Sequence, residues 1–292
     1  MQWEVSGAKT TPKIKVNSKY VLVYYPENTY AVITNGKNTK KIKTQGKITY
    51  GYINKKGYSV LFYEESGLKE KIVVYNNKGE KIFYRDNPDK YISYAILSDN
   101  NRSLITIELK TNNNLTSHLT VHDIRKNKRT ASLEFKDSLV GGCTFVKKDK
   151  FIVVLPTKII CYDTQGKFVW ESDHGEKQIY KYSISDNGLI ALLFNEDDSA
   201  ISDSELNVVN KKGKEVGNYK TKKKIYDIDI RDKNILLTMD RQLQLINSKG
   251  KFLSSVSVPY DFKETFYIAN KKCALVITNS HIARLIIPKQ SR

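Results

Sequence analysis

Proline, histidine, cysteine and methionine are scarce in this 292-residue chain, with six, four, three and two of each. Three cysteines without a Cys-x-x-Cys pair and four histidines leave no ligand set for a structural zinc site. Cys143, Cys161 and Cys273 all fall inside apolar segments that read as strands, with Cys143 and Cys161 on the first and third strands of one repeat. Strands two apart in a sheet are separated by about 9.6 Å, beyond the ~7 Å Cα reach of a disulfide, so three buried thiols are expected. The longest apolar run, near Phe151 to Leu155, is far short of the ~20 residues that cross a bilayer. Also missing are the Gly-x-Ser-x-Gly elbow of hydrolases, a phosphate-binding loop, a dinucleotide fingerprint and a Pro/Ser-rich linker.

Histidine and carboxylate patterns are equally sparse. His118 and His122 have the spacing that aligns two ligands on a helix, but the segment reads as a strand, while His174 and His281 belong to separate repeats. A structural role is expected for all four. The most acidic stretch, Asn195 to Glu205, lacks the Asp-x-Asp-x-Asp-Gly spacing of a calcium loop and reads as a solvated insertion between two strands.

What the chain does have is a beat. A short turn follows an apolar strand at Asn17, Asn54, Ser98, Lys147, Ser185, Arg231 and Asn270, at intervals of about 42 residues. A second set of Gly-containing turns recurs near Gly36, Gly79, Gly166, Gly213 and Gly250, with Arg125-Lys126-Asn127-Lys128-Arg129 filling the third slot. Interleaved, the two sets give four strands, a to d, per repeat, which is one propeller blade. The expected fold is an all-β, seven-bladed β-propeller of four-stranded antiparallel blades. Blades are placed at about 8–46, 47–88, 89–137, 138–174, 175–222, 223–258 and 259–292 plus 1–7 of a single domain, 1–292. The seventh repeat is one strand short, and Gln2-Trp3-Glu4-Val5 is expected to supply it and close the ring.

The formal charge is +18. Antiparallel strand order puts the a–b and c–d turns on one rim and the b–c and d–a loops on the other. Counting charges by turn gives the first rim roughly +21. Its candidate surface is Lys37, Lys40, Lys41, Lys55, Lys56, Lys78, Arg125, Lys126, Lys128, Arg129, Lys147, Lys148, Lys211, Lys212, Lys214, Lys249, Lys251, Lys271 and Lys272. The opposite rim holds Glu64, Glu65, Asp86, Asp173, Glu176 and Tyr260 as candidate partner contacts. An anionic membrane is the surface that a lysine rim fits. Nucleic acid is disfavoured, because only eight of the 49 cationic residues are arginine and phosphate forks favour arginine. Among 19 tyrosines, those in a and b strands, Tyr180 and Tyr226 included, read as packing between blades. Tyr260 and the pair Tyr24-Tyr25 are better placed to meet a ligand.

The octet Asp163-Thr164-Gln165-Gly166-Lys167-Phe168-Val169-Trp170 resembles the tryptophan-docking turn of quinoprotein-like (PQQ-like, WD40-like) propellers. The resemblance implies that Trp170 packs between neighbouring blades. Phe83, Val216 and Leu253 stand at comparable positions elsewhere, so the multi-tryptophan pattern is absent and no quinone or other cofactor is implied. As a whole the chain is similar to uncharacterised, membrane-anchored propeller domains of low-GC Gram-positive bacteria. That similarity implies a non-catalytic platform for other envelope proteins in assembly, division or sporulation, monomeric and displayed outside the cytoplasm through an anchor beyond this chain. Two alternatives are carried forward: an enzyme, glycan-acting or other, with its site at the central channel on the b–c/d–a rim, and a cytoplasmic scaffold.

Overall fold

A computed structural model describes residues 11–65, 68–87, 92–110, 115–195, 203–259, 261, 264–278 and 282–287. The described residues form seven antiparallel sheets whose strands follow chain order. Sheet 1 is β1 (Lys13–Asn17), β2 (Tyr20–Tyr24), β3 (Tyr30–Thr34) and β4 (Thr39–Lys43). Sheet 2 is β5 (Lys47–Ile53), β6 (Ser59–Glu65), β7 (Leu68–Tyr75) and β8 (Lys81–Asn87). Sheet 3 is β9 (Ile92–Leu97), β10 (Ser103–Lys110), β11 (Thr116–Asp123) and β12 (Lys128–Lys136). Sheet 4 is β13 (Gly142–Lys147), β14 (Lys150–Val154), β15 (Lys158–Asp163) and β16 (Phe168–Asp173). Sheet 5 is β17 (Ile179–Ile184), β18 (Ile190–Asn195), β19 (Ser204–Val209) and β20 (Glu215–Thr221). Sheet 6 is β21 (Ile225–Arg231), β22 (Asn234–Met239), β23 (Gln242–Asn247) and β24 (Phe252–Ser257). Sheet 7 has three strands, β25 (Glu264–Ile268), β26 (Cys273–Ile277) and β27 (Ile282–Ile286). The expected closing strand Gln2–Val5 lies outside the described residues, as do Tyr260 and His281.

The chain divides into two compact units, Met1–Val154 with Tyr162–Val169, and Leu155–Cys161 with Trp170–Arg292. In the first unit the apolar runs are continuous because both faces of a strand are buried. In β6, Leu61 and Tyr63 join Leu22, Tyr24 and Ile33 of sheet 1, while Val60 and Phe62 join Ala95, Leu97 and Leu104 of sheet 3. Side chains alternate with period two, so one strand serves two cores. The second unit repeats the device. In β22, Leu237 packs with Leu193, Leu206 and Val208 of sheet 5, and Leu236 packs with Tyr267 and Val276 of sheet 7.

The c–d turns are set by local hydrogen bonds. In sheets 2, 4, 5 and 6, an Asn or Asp three residues before the glycine accepts two backbone N–H groups. Asn76 takes those of Lys78 and Glu80, Asp163 those of Gln165 and Lys167, Asn210 those of Lys212 and Lys214, and Asn247 those of Lys249 and Lys251. The glycine then supplies a positive φ. At Gly250, φ is +83° and a Cβ would stand 1.8 Å from the Asn218 carbonyl oxygen, so no other residue fits.

The a–b turns join one sheet to the next through asparagine. In the first unit Asn17 Nδ2 donates to the Ile53 carbonyl at 3.2 Å, Asn54 Nδ2 to that of Ser98 at 3.0 Å, and Asn100 Nδ2 to that of Lys148 at 3.1 Å. In the second, Asn187 Nδ2 donates to the Asp232 carbonyl at 3.1 Å. The beat residues Asn17 and Asn54, and Asn100 and Asn187 two residues after the beat positions Ser98 and Ser185, are thus latches between neighbouring sheets.

Three expectations change. Tyr24 and Tyr25 are buried rather than placed for a ligand, because Tyr24 lies over Gly51 of the next sheet, where a Cβ would come within 2.6 Å of its ring. Ser204 and Glu205 belong to β19 rather than to the acidic insertion, whose residues 196–202 lie outside the described ones. Tyr180 and Tyr226 are exposed rather than packed between sheets. The cysteines are buried free thiols, and burial pushes the Cys143 thiol up.

Trp170 sits under the c–d turn of sheet 5, where its indole N–H donates to the Lys211 carbonyl at 3.1 Å. A Cβ at Gly213 would fall 2.7 Å from its ring. Trp170→Phe keeps an aromatic ring and loses the hydrogen bond, so urea unfolding is expected to report a loss of about 1 kcal/mol.

Candidate functional site

Two surfaces carry charge or open space. The first is the basic turn end of each sheet. All 19 candidate lysines and arginines are exposed. Lys40 and Lys41 stand in β4, Lys128 and Arg129 in β12, Lys147 in β13, Lys271 in the 3-10 helix Ala269–Lys271, and the others in turns. In the first unit, a–b and c–d turns of one sheet meet at the same end: the Arg125 guanidinium donates to the Asn100 carbonyl at 3.2 Å, and Arg102 pairs with Asp123 at 2.9 Å. In the second unit, Ser248 N–H donates to the Lys233 carbonyl at 2.7 Å.

At the opposite end of the first unit, Glu64 is exposed, and Lys71 bridges Glu65 at 2.8 Å and Asp86 at 3.4 Å. The Glu65 contact is the main reason that the Lys71 ammonium is held above the ordinary lysine range. A buried carboxylate lies beside them. Glu70 accepts Ile92 N–H at 2.8 Å and the Thr49 hydroxyl at 3.2 Å, and burial raises its pKa against the pull of these bonds. Ser204 in the second unit does the same for Ile225 N–H at 2.9 Å, so this position ties sheet 2 and sheet 5 each to the segment that follows.

The second surface is a groove in the second unit. A cleft of about 1100 Å³ is lined by Glu176, Lys177, Tyr180, Phe194, Asp203, Glu205, Lys220 and Lys222, among others. A cavity of about 390 Å³ is lined by Lys181, Tyr226, Asp227, Arg241, Asp261 and Glu264 among others, and Tyr180 belongs to both. Of the candidate partner residues, Glu176 lines the cleft, and Asp173 accepts Gly175 N–H at 2.9 Å nearby in sequence.

Three carboxylates of the groove are paired. Glu205 accepts Lys177 at 2.8 Å, Lys220 at 3.2 Å and the Asn218 amide at 3.1 Å. Burial alone would raise its pKa, but these three donors together outweigh it and hold the carboxyl below the ordinary glutamate range. Lys181 meets Asp227 at 3.1 Å, and Arg241 meets Asp261 at 3.6 Å.

Sequence reasoning missed the two groove tyrosines. In β17 the pairing with β18 slips between Ile179 and Lys181, leaving Tyr180 as the extra residue, and in β21 it slips between Ile225 and Asp227, leaving Tyr226. Bulges re-aim the extra side chain. The first-unit counterparts in β5 and β9 are small, Thr49 and Ser93. The signal was present as the repeated pair Ile-Tyr at the head of both strands. No group of three or more metal-ligating side chains occurs among the described residues.

Comparisons give the fold and the family. An uncharacterized protein of Listeria monocytogenes EGD-e has a similar structure at TM-score 0.64 and 13% identity, with 99% of each chain covered. Hsv2 of Kluyveromyces marxianus follows at 0.62 and 10%, with 96% of each chain covered. BamB of Moraxella catarrhalis gives 0.57 and 9%, covering 98% of this chain and 86% of its own. Such low identities show the fold alone, a WD40- and BamB-like β-propeller, here of seven antiparallel sheets. No curated protein is matched by the sequence. The profile of a family of unknown function, DUF5711, matches residues 1–287, and the chain belongs to that family.

Proposed function

We propose that this chain is a non-catalytic protein-interaction platform, the extracytoplasmic domain of a membrane-anchored bacterial envelope protein. Its lysine-rich turn ends face the anionic membrane, and the opposite ends of its sheets meet a partner in assembly, division or sporulation. The observation that carries this reading is the exposure of all 19 candidate cationic side chains. Each lysine near an anionic surface contributes about 1 kcal/mol, so even a few acting together hold a domain to a bilayer. The propeller fold fits a protein-interaction role, and Glu64, Glu65, Asp86 and Glu176 supply the partner side with carboxylates.

The rival reading, a glycan-acting enzyme, needs a carboxylic acid that stays protonated near neutral pH. Glu205, the groove carboxylate with the most donors, is held below the ordinary glutamate range and is poorly suited to that role, while Glu70, which burial raises, is engaged by Ile92 N–H and the Thr49 hydroxyl.

Liposome flotation across a salt series tests the membrane contact. Retention by anionic vesicles at low salt is expected to fall as salt rises and to be absent with neutral vesicles. Reversing Lys211, Lys212 and Lys214 to Glu is expected to weaken retention about tenfold or more. Equal flotation with anionic and neutral vesicles would sink the membrane-facing reading.

A further inference from the structure

We propose that the groove in the second unit binds a neutral saccharide chain, with Tyr180 and Tyr226 as the platforms on which successive sugar rings stack. Both tyrosines reach the groove by the same device, as unpaired bulge residues at the head of β17 and β21, and they are 43% and 37% exposed. Leaving a ring this open has a cost in water, and two neighbouring strands repeat it at matching positions. A phenol ring offers an apolar face to the C–H side of a pyranose and a hydroxyl at its edge, which suits a ligand that is itself amphipathic.

The walls favour an uncharged ligand. The larger cleft carries three carboxylates, Glu176, Asp203 and Glu205, and three ammonium groups, Lys177, Lys220 and Lys222. Glu205 is already bound by Lys177 and Lys220, and Asp227 by Lys181. A charged polymer finds no net opposite charge in the larger cleft, and the smaller cavity, with Asp227, Asp240, Asp261 and Glu264 against Lys181 and Arg241, repels an anionic one. A sugar hydroxyl both donates and accepts, so it can join each pair without breaking it. Because Tyr180 lines both spaces, the ligand that fills them is longer than one ring. This inference stands apart from the membrane reading, since lipid contact at the lysine turns neither requires nor forbids it.

Isothermal titration of the full chain with chitohexaose and with maltohexaose tests it. At least one hexasaccharide is expected to bind at millimolar concentration or below, with similar affinity at low and high salt. Tyr180→Ala and Tyr226→Ala are each expected to weaken binding about tenfold, while Tyr180→Phe stays within about threefold because the ring remains. Both rings are exposed, so an unchanged unfolding midpoint is expected in each variant. Absence of binding by either sugar at millimolar concentration overturns the proposal, as does binding that both alanine variants leave intact. Tyrosine-dependent binding of a neutral unstructured peptide in place of the sugars would assign the groove to protein and overturn it equally.

Discussion

Asn54→Ala lowers the unfolding free energy by about 3 kcal/mol, read from urea unfolding at neutral pH. The side chain is fully buried and makes four hydrogen bonds. Its amide donates to the Ser98 carbonyl at 3.0 Å and to Asn101 Oδ1 at 2.7 Å, and its Oδ1 accepts the backbone N–H groups of Lys56 and Tyr58, both at 3.0 Å. Alanine removes the turn acceptor of sheet 2 and the latch to sheet 3 together. Each buried group left without a partner costs more than an average bond contributes, which is why the expected loss is large for so small a change in volume. Asn54→Asp separates the two roles. It keeps an acceptor for Lys56 and Tyr58 but sets a carboxylate against the Ser98 carbonyl, so it is expected to be no more stable than the alanine variant. A loss below about 1 kcal/mol for alanine would show that water replaces the latch and that sheet packing alone holds the neighbours.

Acid destabilises the first unit through His122. Its imidazole is buried in β11, and Arg85 of β8 donates to its Nε2. Burial is the main reason its pKa is pushed down to about 4 from 6.5; Arg85 and Arg129 push the same way, and Glu108 of β10 opposes them. The hydroxyl of Thr120 also lies 3.2 Å from Nε2. A histidine whose folded pKa is depressed contributes stability that is complete above the unfolded pKa. The contribution falls as pH drops from 6.5 towards 4, because the unfolded chain takes up the proton first. Between pH 7 and pH 5 the loss is expected to be about 2 kcal/mol. His122→Gln keeps a hydrogen-bonding side chain that does not titrate, so the difference in pH slope between the two proteins isolates this residue from other groups. Those others include His174, also lowered by burial, and Glu70, whose raised pKa acts in the opposite direction, favouring the fold as pH falls. Parallel slopes from pH 7 to pH 5 would mean that His122 accepts its proton in the fold with local rearrangement.

The fold was legible because it is written in local patterns. The turn spacing needs only the order of apolar runs, and the c–d turns close on bonds between residues two to four apart, such as Asn76 with Lys78 and Glu80. Seven repeats of strand and turn, buried thiols on strands, and a histidine pair on β11 all follow from such short-range information. The exposure of the lysines was equally legible, since hairpin tips leave long cationic side chains in water.

Sequence alone determined the class of fold, the strand order and the concentration of positive charge in the turns. Tertiary structure decided everything that depends on which sheet stands next. Tyr24 is buried because Gly51 of the following sheet makes room for its ring, and Tyr180 and Tyr226 open into a groove because a one-residue slip turns them out of the ladder. Asn54 is a latch because Ser98, 44 residues further on, presents a carbonyl to it. Each of these is a contact between distant segments, and strand periodicity carries no record of the partner, its register or the space it leaves.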